Sequence, residues 1–496
     1  MTEFVPGTHP DFDTDSDGRA VAFRDRGGQH HGLVTYQAGP GGVVRNSLGE
    51  LVWKRGHNQL VKQQPTRLLA VADRDGVQQY TSTTFASGGS AAIDMDMTDP
   101  ATGLPMLKLT CPAGAAGAYQ NVTWQSLSPI EMADSDLWLI TVYSPVDIAG
   151  AAVRLQIYPD EAASANYRRL TFQDSHPARL ARGWNVLICR NDEIRTTASD
   201  YAPGGTTPYL AWETGGTVSP SMQVRCVRVS VAMATAPVAP VDFWVGSVHR
   251  APQGWCTAAM MWSADDVSQS FGDIAIPIIE SYGWRTTLNS VSTYTDPSNP
   301  AYLSIEALRQ LQARGHEIWG HARTHEDMAA VVNKTRALAE ASKFWRANGF
   351  PQAAQMMAWP FGAFNADART AAKATGYKVC RAANGSGTPW LPTLNPYTYN
   401  AFSTEISNPW QADAQINGTI LRGQSMLTYM HVTVPGGAGL NAYPGPSQHY
   451  EDHLRRWCDL VKSHEEAGRV AVLTASEYWR ACGVDPLTDP FLDTLT

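Results

Sequence analysis

From Trp255 to Thr474, short apolar runs alternate with amphipathic stretches. Strands are predicted at Trp255–Trp262, Thr286–Val291, His316–Gly320, Met356–Trp359, Tyr377–Arg381, Ser425–His431 and Arg469–Thr474. Between them, helices are predicted at Phe271–Tyr282, Ser304–Ala313, Asp327–Asn348, Ala366–Thr375 and His449–Ala467. Ser304 reads as an N-cap, because its hydroxyl can accept an otherwise orphaned backbone N–H, and Gly376 closes the helix before it. Strands that alternate with helices imply a parallel sheet or a distorted (β/α) barrel. In a barrel the chemistry gathers at the C-terminal strand ends.

Before Trp255 the pattern differs. Short runs rich in Val, Leu, Ile, Trp and Tyr lie at Leu107–Thr110, Leu137–Val142, Val153–Ile157, Trp184–Cys189, Met222–Met233 and Val241–Val248, bounded by Gly, Pro, Asp and Ser. Helical periodicity is absent, which points to an antiparallel β-sandwich of the jelly-roll kind over residues 61–250. Ala234–Pro240 reads like a short linker, Phe243–Val248 closes the sandwich, and the boundary falls near His249–Gly254. Trp124, Trp138, Trp184 and Trp212 are candidate platforms for stacking sugars, although strand aromatics more often pack in the core. Residues 1–60 form a separate small module for anchoring or oligomerisation, with β-like pieces at Gly32–Gln37 and Leu51–Lys54.

Composition and charge narrow the function. The chain of 496 residues is long enough for two to four domains with their own cores. A net charge of −8 and no Lys/Arg run argue against nucleic-acid or anionic-membrane partners, which need clustered positive charge. No apolar stretch approaches the roughly 18 residues of a membrane span, so no membrane insertion is expected. The N-terminus lacks a basic stretch followed by an apolar one, so no secretory signal is expected. Seven cysteines without CxxC or zinc-ribbon spacing read as free, mostly buried thiols of a protein made in a reducing cytosol.

Four short segments carry candidate chemistry. Asp265 and Asp266 directly follow an apolar strand in MMWSADDVSQS. Alone, such a pair reads first as a helix cap. In GHEIWGHARTH, His321 and His325 are four apart. On a helix that spacing puts two imidazoles on one face, able to grip one metal ion, but an isolated pair is more often ordinary. His449 and His453 share the spacing on a charged amphipathic helix and read as a solvated face. His431 ends the run SMLTYMHVTV, where a satisfied buried imidazole is equally common. Ala358–Asn365 (AWPFGAFN) is a strand entering a Pro-Phe-Gly turn.

Taken in order, the Asp pair, GHEIxxHxxxH, the WPFG turn, the strand-ending His and AVLTASEYW resemble the polysaccharide deacetylase (NodB-homology) family, also called carbohydrate esterase family four. The resemblance covers about Cys256 to Trp479 and assigns residues 251–496 to a deacetylase domain. It makes Asp265 the general base and Asp266, His321 and His325 the ligands of a divalent metal, Zn²⁺ first. His431 becomes the general acid. Trp359, Pro360, Phe361 and Gly362 fall in the substrate and oxyanion region. Three positions depart from the family pattern. Ala322 stands for the usual Ser or Thr, Tyr429 for Leu, and Ala358 for the Arg that orients the base.

The implied reaction is hydrolysis of acetyl groups on a bacterial surface polysaccharide, N-acetyl amino sugars before O-acetyl esters. The contrasting reading is an inactive glycan-binding virion protein, and the five matching site residues weigh against it. A glycan enzyme without an export signal fits a phage tail component that meets a capsule from outside, as a homo-oligomer and specifically a trimer. A clear monomer in light scattering, with no particle association, would sink that expectation.

Overall fold

The computed structural model describes residues 257–383, 401–404, 409–431 and 447–481 of the second half. In the first half it describes mainly 67–70, 77–85, 88–99, 104–125, 127–145, 151–161, 165–173, 183–192, 212–219 and 221–253, plus strand segments at 12–14, 20–24 and 30–33. Leu51–Lys54, Cys256 and Cys482 lie outside the described residues.

The region from 67 to 251 is built of antiparallel sheets, as its strand pattern predicts. One runs in the order 213–215, 167–173, 151–158, 226–233, 120–124, 82–84. A second runs 183–190, 137–144, 241–251, 105–111, 90–98, with 67–70 paired to 241–251. Inward residues of both, such as Leu109, Ile140, Leu155 and Val229, contribute to one apolar cluster. The segment Ala234–Pro240 joins strands of these two sheets, so it connects within this core. Trp124, Trp138 and Trp212 are at most 1% exposed. They pack in the core and are not sugar platforms. The Trp184 side chain lies outside the described residues.

The second half holds a parallel sheet whose strands are numbered here β1 to β8. They are β1 (Ala258–Asp265), β2 (Thr286–Ser290), β3 (Glu317–Gly320), β4 (Met356–Ala358), β5 (Val379–Arg381), β6 (Phe402–Ser403), β7 (Ser425–Tyr429) and β8 (Val470–Val472). The order is β5-β4-β3-β2-β1-β7-β6, with β8 also on β1. β2 and β3 are buried throughout, as expected of strands covered on both faces. The covering helices are α1 (Ile276–Ser281), α2 (Ile305–Ala313), α3 (Lys334–Ala347), α4 (Ala366–Ala374), α5 (Pro409–Leu421), α6 (Ser447–Glu466) and α7 (Ala475–Ala481). Trp262, Phe271, Ile279, Leu308, Trp345 and Trp457 belong to the core between sheet and helices.

Side-chain caps set the helix starts. Ser304 Oγ accepts from Ala307 N (3.3 Å), and Asn365 Oδ1 from Ala368 N (2.9 Å). The helix predicted from Asp327 begins seven residues later, at Lys334. Asp327 Oδ1 takes the Ala329 N–H into a local turn instead, and Asn333 Oδ1 caps α3 by accepting from Arg336 N (3.0 Å). Helices α5, of 13 residues, and α7, of 7, have no counterpart in the predicted order.

Two polar contacts lie at opposite ends of the sheet. Glu317, at the N-terminal end of β3, accepts from Thr287 Oγ1 (3.2 Å), from Ser476 N (3.0 Å) and from the Ser476 hydroxyl, anchoring the first turn of α7. Glu317→Gln turns a charged acceptor into a partial donor. It should cost about 1.5–3 kcal/mol in urea unfolding; a loss below ~0.5 kcal/mol would remove this anchoring role. At the opposite ends, β5 and β1 are four strand steps apart, roughly 19 Å on a flat sheet. Yet Arg381 Nη2 of β5 lies 2.5 Å from both carboxylate oxygens of Asp265 on β1. The sheet must curl for that contact, and the parallel order with its helices fits the expected distorted barrel.

Candidate metal and catalytic centre

The site sits where β1, β3, β4 and β7 end. Among the described residues, the non-glycine residues with positive φ are Asp266 (61°), Val267 (55°), Ala322 (62°) and Phe361 (57°). All four belong to the motif segments. Such backbone costs on the order of 1–3 kcal/mol each and gathers where geometry is imposed by function.

At the end of β1, Val267 N–H donates back to the Asp265 carbonyl (2.7 Å), closing a tight turn. That turn aims the two carboxylates differently. Asp265 remains in the strand, while Asp266 swings toward the histidines. Neither caps the following helical turn, whose N-cap position is Ser270.

His321 and His325 follow β3 on a loop, not a helix. Ala322 in the left-handed region breaks helical continuation, and the loop itself brings the rings to 5.0 Å between centroids. Asp266 Oδ1 lies 3.8 Å from His321 Nε2 and 3.5 Å from His325 Nε2. Ligands about 2.1 Å from one tetrahedral ion sit roughly 3.4 Å apart. A carboxylate and two imidazole nitrogens, all within 4.8 Å of one another, therefore fit a divalent ion such as Zn²⁺. His321 Nδ1 is 2.9 Å from the Ala358 carbonyl, which fixes the tautomer that leaves Nε2 free to ligate. The backbone of position 358 thus orients the His321 ring whatever its own side chain. Burial pushes the His321 imidazole down to about 3. Burial lowers His325 as well, against the opposing pull of Asp265. Both rings are held neutral, the form that binds metal.

Asp265 is 5% exposed and ion-paired. Asn289, its register partner on β2, donates from Nδ2 to Oδ1 (2.9 Å). Arg381 reaches both oxygens. Burial raises the carboxyl, but the Arg381 guanidinium beside it outweighs that and holds the group at about 2. Sequence reasoning found neither Arg381 nor Asn289. The available signal was position alone, since each ends or nearly ends a strand on the rim that carries Asp265.

His431 lies two residues beyond β7, near enough for its charge to act on Asp265 and His325. The Met430 carbonyl accepts from Asp265 N (3.0 Å), tying the two strand ends together. The WPFG segment divides in two. Trp359 and Pro360 are buried, with Trp359 stacked on Phe364 at 5.6 Å, so they pack beneath the turn. Phe361 is 64% exposed, its ring 4.3 Å from that of His325. Gly362 combines φ 64° with a position where a Cβ would come within 2.7 Å of Ala383, and its N–H donates to the Trp359 carbonyl (2.9 Å). Tyr294 and Tyr302, stacked at 4.3 Å, add an aromatic wall with Tyr294 6.2 Å from His325. Of the other spaced pair, His453 stacks on Trp457 within α6, and the His449 side chain lies outside the described residues.

The polysaccharide deacetylase family model matches residues 258–380. No curated protein matches the chain. The Xyl-CE4 domain of a multidomain xylanase from the Trinervitermes trinervoides hindgut metagenome is similar at 14% identity and TM-score 0.31, covering 47% of this chain and 94% of that one. A family 4 carbohydrate esterase from Streptomyces lividans in complex with acetate gives 14% and 0.30, covering 47% and 95%. A Streptococcus pyogenes deacetylase in complex with acetate gives 18% and 0.26; 28% of this chain aligns, spanning 62% of that one. Residues 258–380 are a polysaccharide deacetylase domain.

Proposed function

We propose that this protein hydrolyses acetyl groups on an acetylated bacterial surface polysaccharide, with N-acetyl amino sugars as the first substrate class. One observation carries the reading: a neutral two-imidazole, one-carboxylate set stands beside a second carboxylate that is ionised and held by Arg381. A divalent ion on Asp266, His321 and His325 would polarise the acetyl carbonyl and acidify a water. Asp265 takes the proton of the attacking water. His431 gives a proton to the leaving amine as the C–N bond breaks, so water and amide become acetate and a free amino sugar. The Gly362 N–H is committed to Trp359, which leaves the Phe361 N–H as the oxyanion donor to test. The exposed Phe361 ring and the Tyr294–Tyr302 wall offer apolar faces to a pyranose.

The experiment is acetate release from a panel of bacterial capsules and chitooligosaccharides, with and without chelator. Release that stops on chelation and returns with Zn²⁺ supports the reading. Chelator-insensitive release overturns the metal chemistry, and no release across the panel overturns the activity. A new free amine identifies N-deacetylation; acetate without one identifies an ester substrate.

A further inference from the structure

We propose that Arg381 is the positioning residue for Asp265, and that the departures at positions 358 and 429 form one rearrangement built around it; this rests on the deacetylase reading above. Arg381 is fully buried at the end of β5. Its Nη2 bridges both oxygens of Asp265, while Nε and Nη1 have no hydrogen-bond partner. A buried guanidinium that spends one nitrogen on a single carboxylate and leaves two unsatisfied is a poor structural cross-link, and calls for another explanation. Bridging both oxygens fixes the plane of the carboxylate. Oδ1 also accepts from Asn289, so Oδ2, with the single donor, is the oxygen left to take a proton.

The neighbours fit the same role. Ala358 on β4 is the register partner of Arg381, so both side chains leave the same face side by side, and Ala358 offers only a methyl. Positions 358 and 381 are alternative origins for one guanidinium. Tyr429, at the end of β7, places its ring 5.1 Å from Arg381 Cζ, a cation–π contact that a Leu could not make. The guanidinium is thus held from β1 and β7 at once.

The test compares four metal-loaded full-length proteins: wild type, Arg381→Ala, Arg381→Lys and the swap Arg381→Ala/Ala358→Arg. A misplaced base costs on the order of 10²-fold. Arg381→Ala should therefore lower kcat for acetate release about a hundredfold, with KM and bound metal within about threefold. Lys keeps the charge without the fork and should recover part of the loss. The swap should recover at least about tenfold over Arg381→Ala. If Arg381→Ala keeps kcat within about threefold of wild type, the proposal fails. If Arg381→Ala does not fold, the other two variants decide: melting temperature restored without kcat means a structural role only, and overturns it. Wild type inactive on every substrate removes the deacetylase reading and this proposal with it, whereas active wild type with an equally active Arg381→Ala removes this proposal alone.

Discussion

His321→Ala is expected to abolish metal-dependent activity while leaving a folded protein. Four-ligand zinc sites bind with apparent free energies of about 10–16 kcal/mol, roughly 3 kcal/mol per ligand. Losing one ligand should then weaken binding at least about a hundredfold. The effect should exceed that of His325→Ala, because His321 is 1% exposed and its Nδ1 is fixed by Ala358, so no solvent-side group can take its place. A readout independent of substrate is available. Metal at a thousand times Kd stabilises the wild type by about 4 kcal/mol, on the order of 10 °C in Tm. The same metal should leave Tm of His321→Ala almost unchanged. Calorimetry with Zn²⁺ and acetate release measure the two sides. Full activity in the variant, or an equal thermal shift, would falsify the ligand assignment.

Much of this centre is visible before folding because its parts are local. An apolar run ending in two Asp needs only strand geometry to reach the barrel rim, and Ser304 needs only its own hydroxyl to start a helix. The histidine pair was legible as a pair but not as a loop. Spacing of four is the same number on a helix and on the bend that Ala322 makes at φ 62°, and only the backbone tells them apart. Arg381 was illegible for a different reason. It is 116 residues from Asp265 in sequence and four strands away in the sheet order, so their contact exists only once the sheet has curled. A charged residue ending the short run Tyr377–Arg381 looks like an exposed strand end. The missing Arg at position 358 therefore read as a loss, when the charge is present one strand away. The tryptophans make the opposite case. Trp124, Trp138 and Trp212 are aromatic residues in a β-rich region, and burial, not spacing, decides that they serve the core.

Asp265→Asn should separate catalysis from folding at the same pair of residues. Removing a general base costs about 10²–10⁴-fold in rate. Asn keeps the size and the Asn289 contact, so kcat should fall in that range while Zn²⁺ binding at Asp266, His321 and His325 stays within about tenfold of wild type. Stability should fall as well, because Arg381 then carries an uncompensated charge at 0% exposure. Removing one partner of a buried ion pair typically costs about 3–5 kcal/mol. Adding Arg381→Gln to Asp265→Asn removes that charge, and replacing both partners of a buried pair is often neutral. The double variant should accordingly regain most of the lost Tm and none of the lost kcat. Recovery of both would mean that Asp265 matters for packing alone and that another group takes the proton. Recovery of neither would mean that the pair is needed to close the barrel between β1 and β5. Only the split result is compatible with one carboxylate acting both as a base and as the partner of a buried Arg.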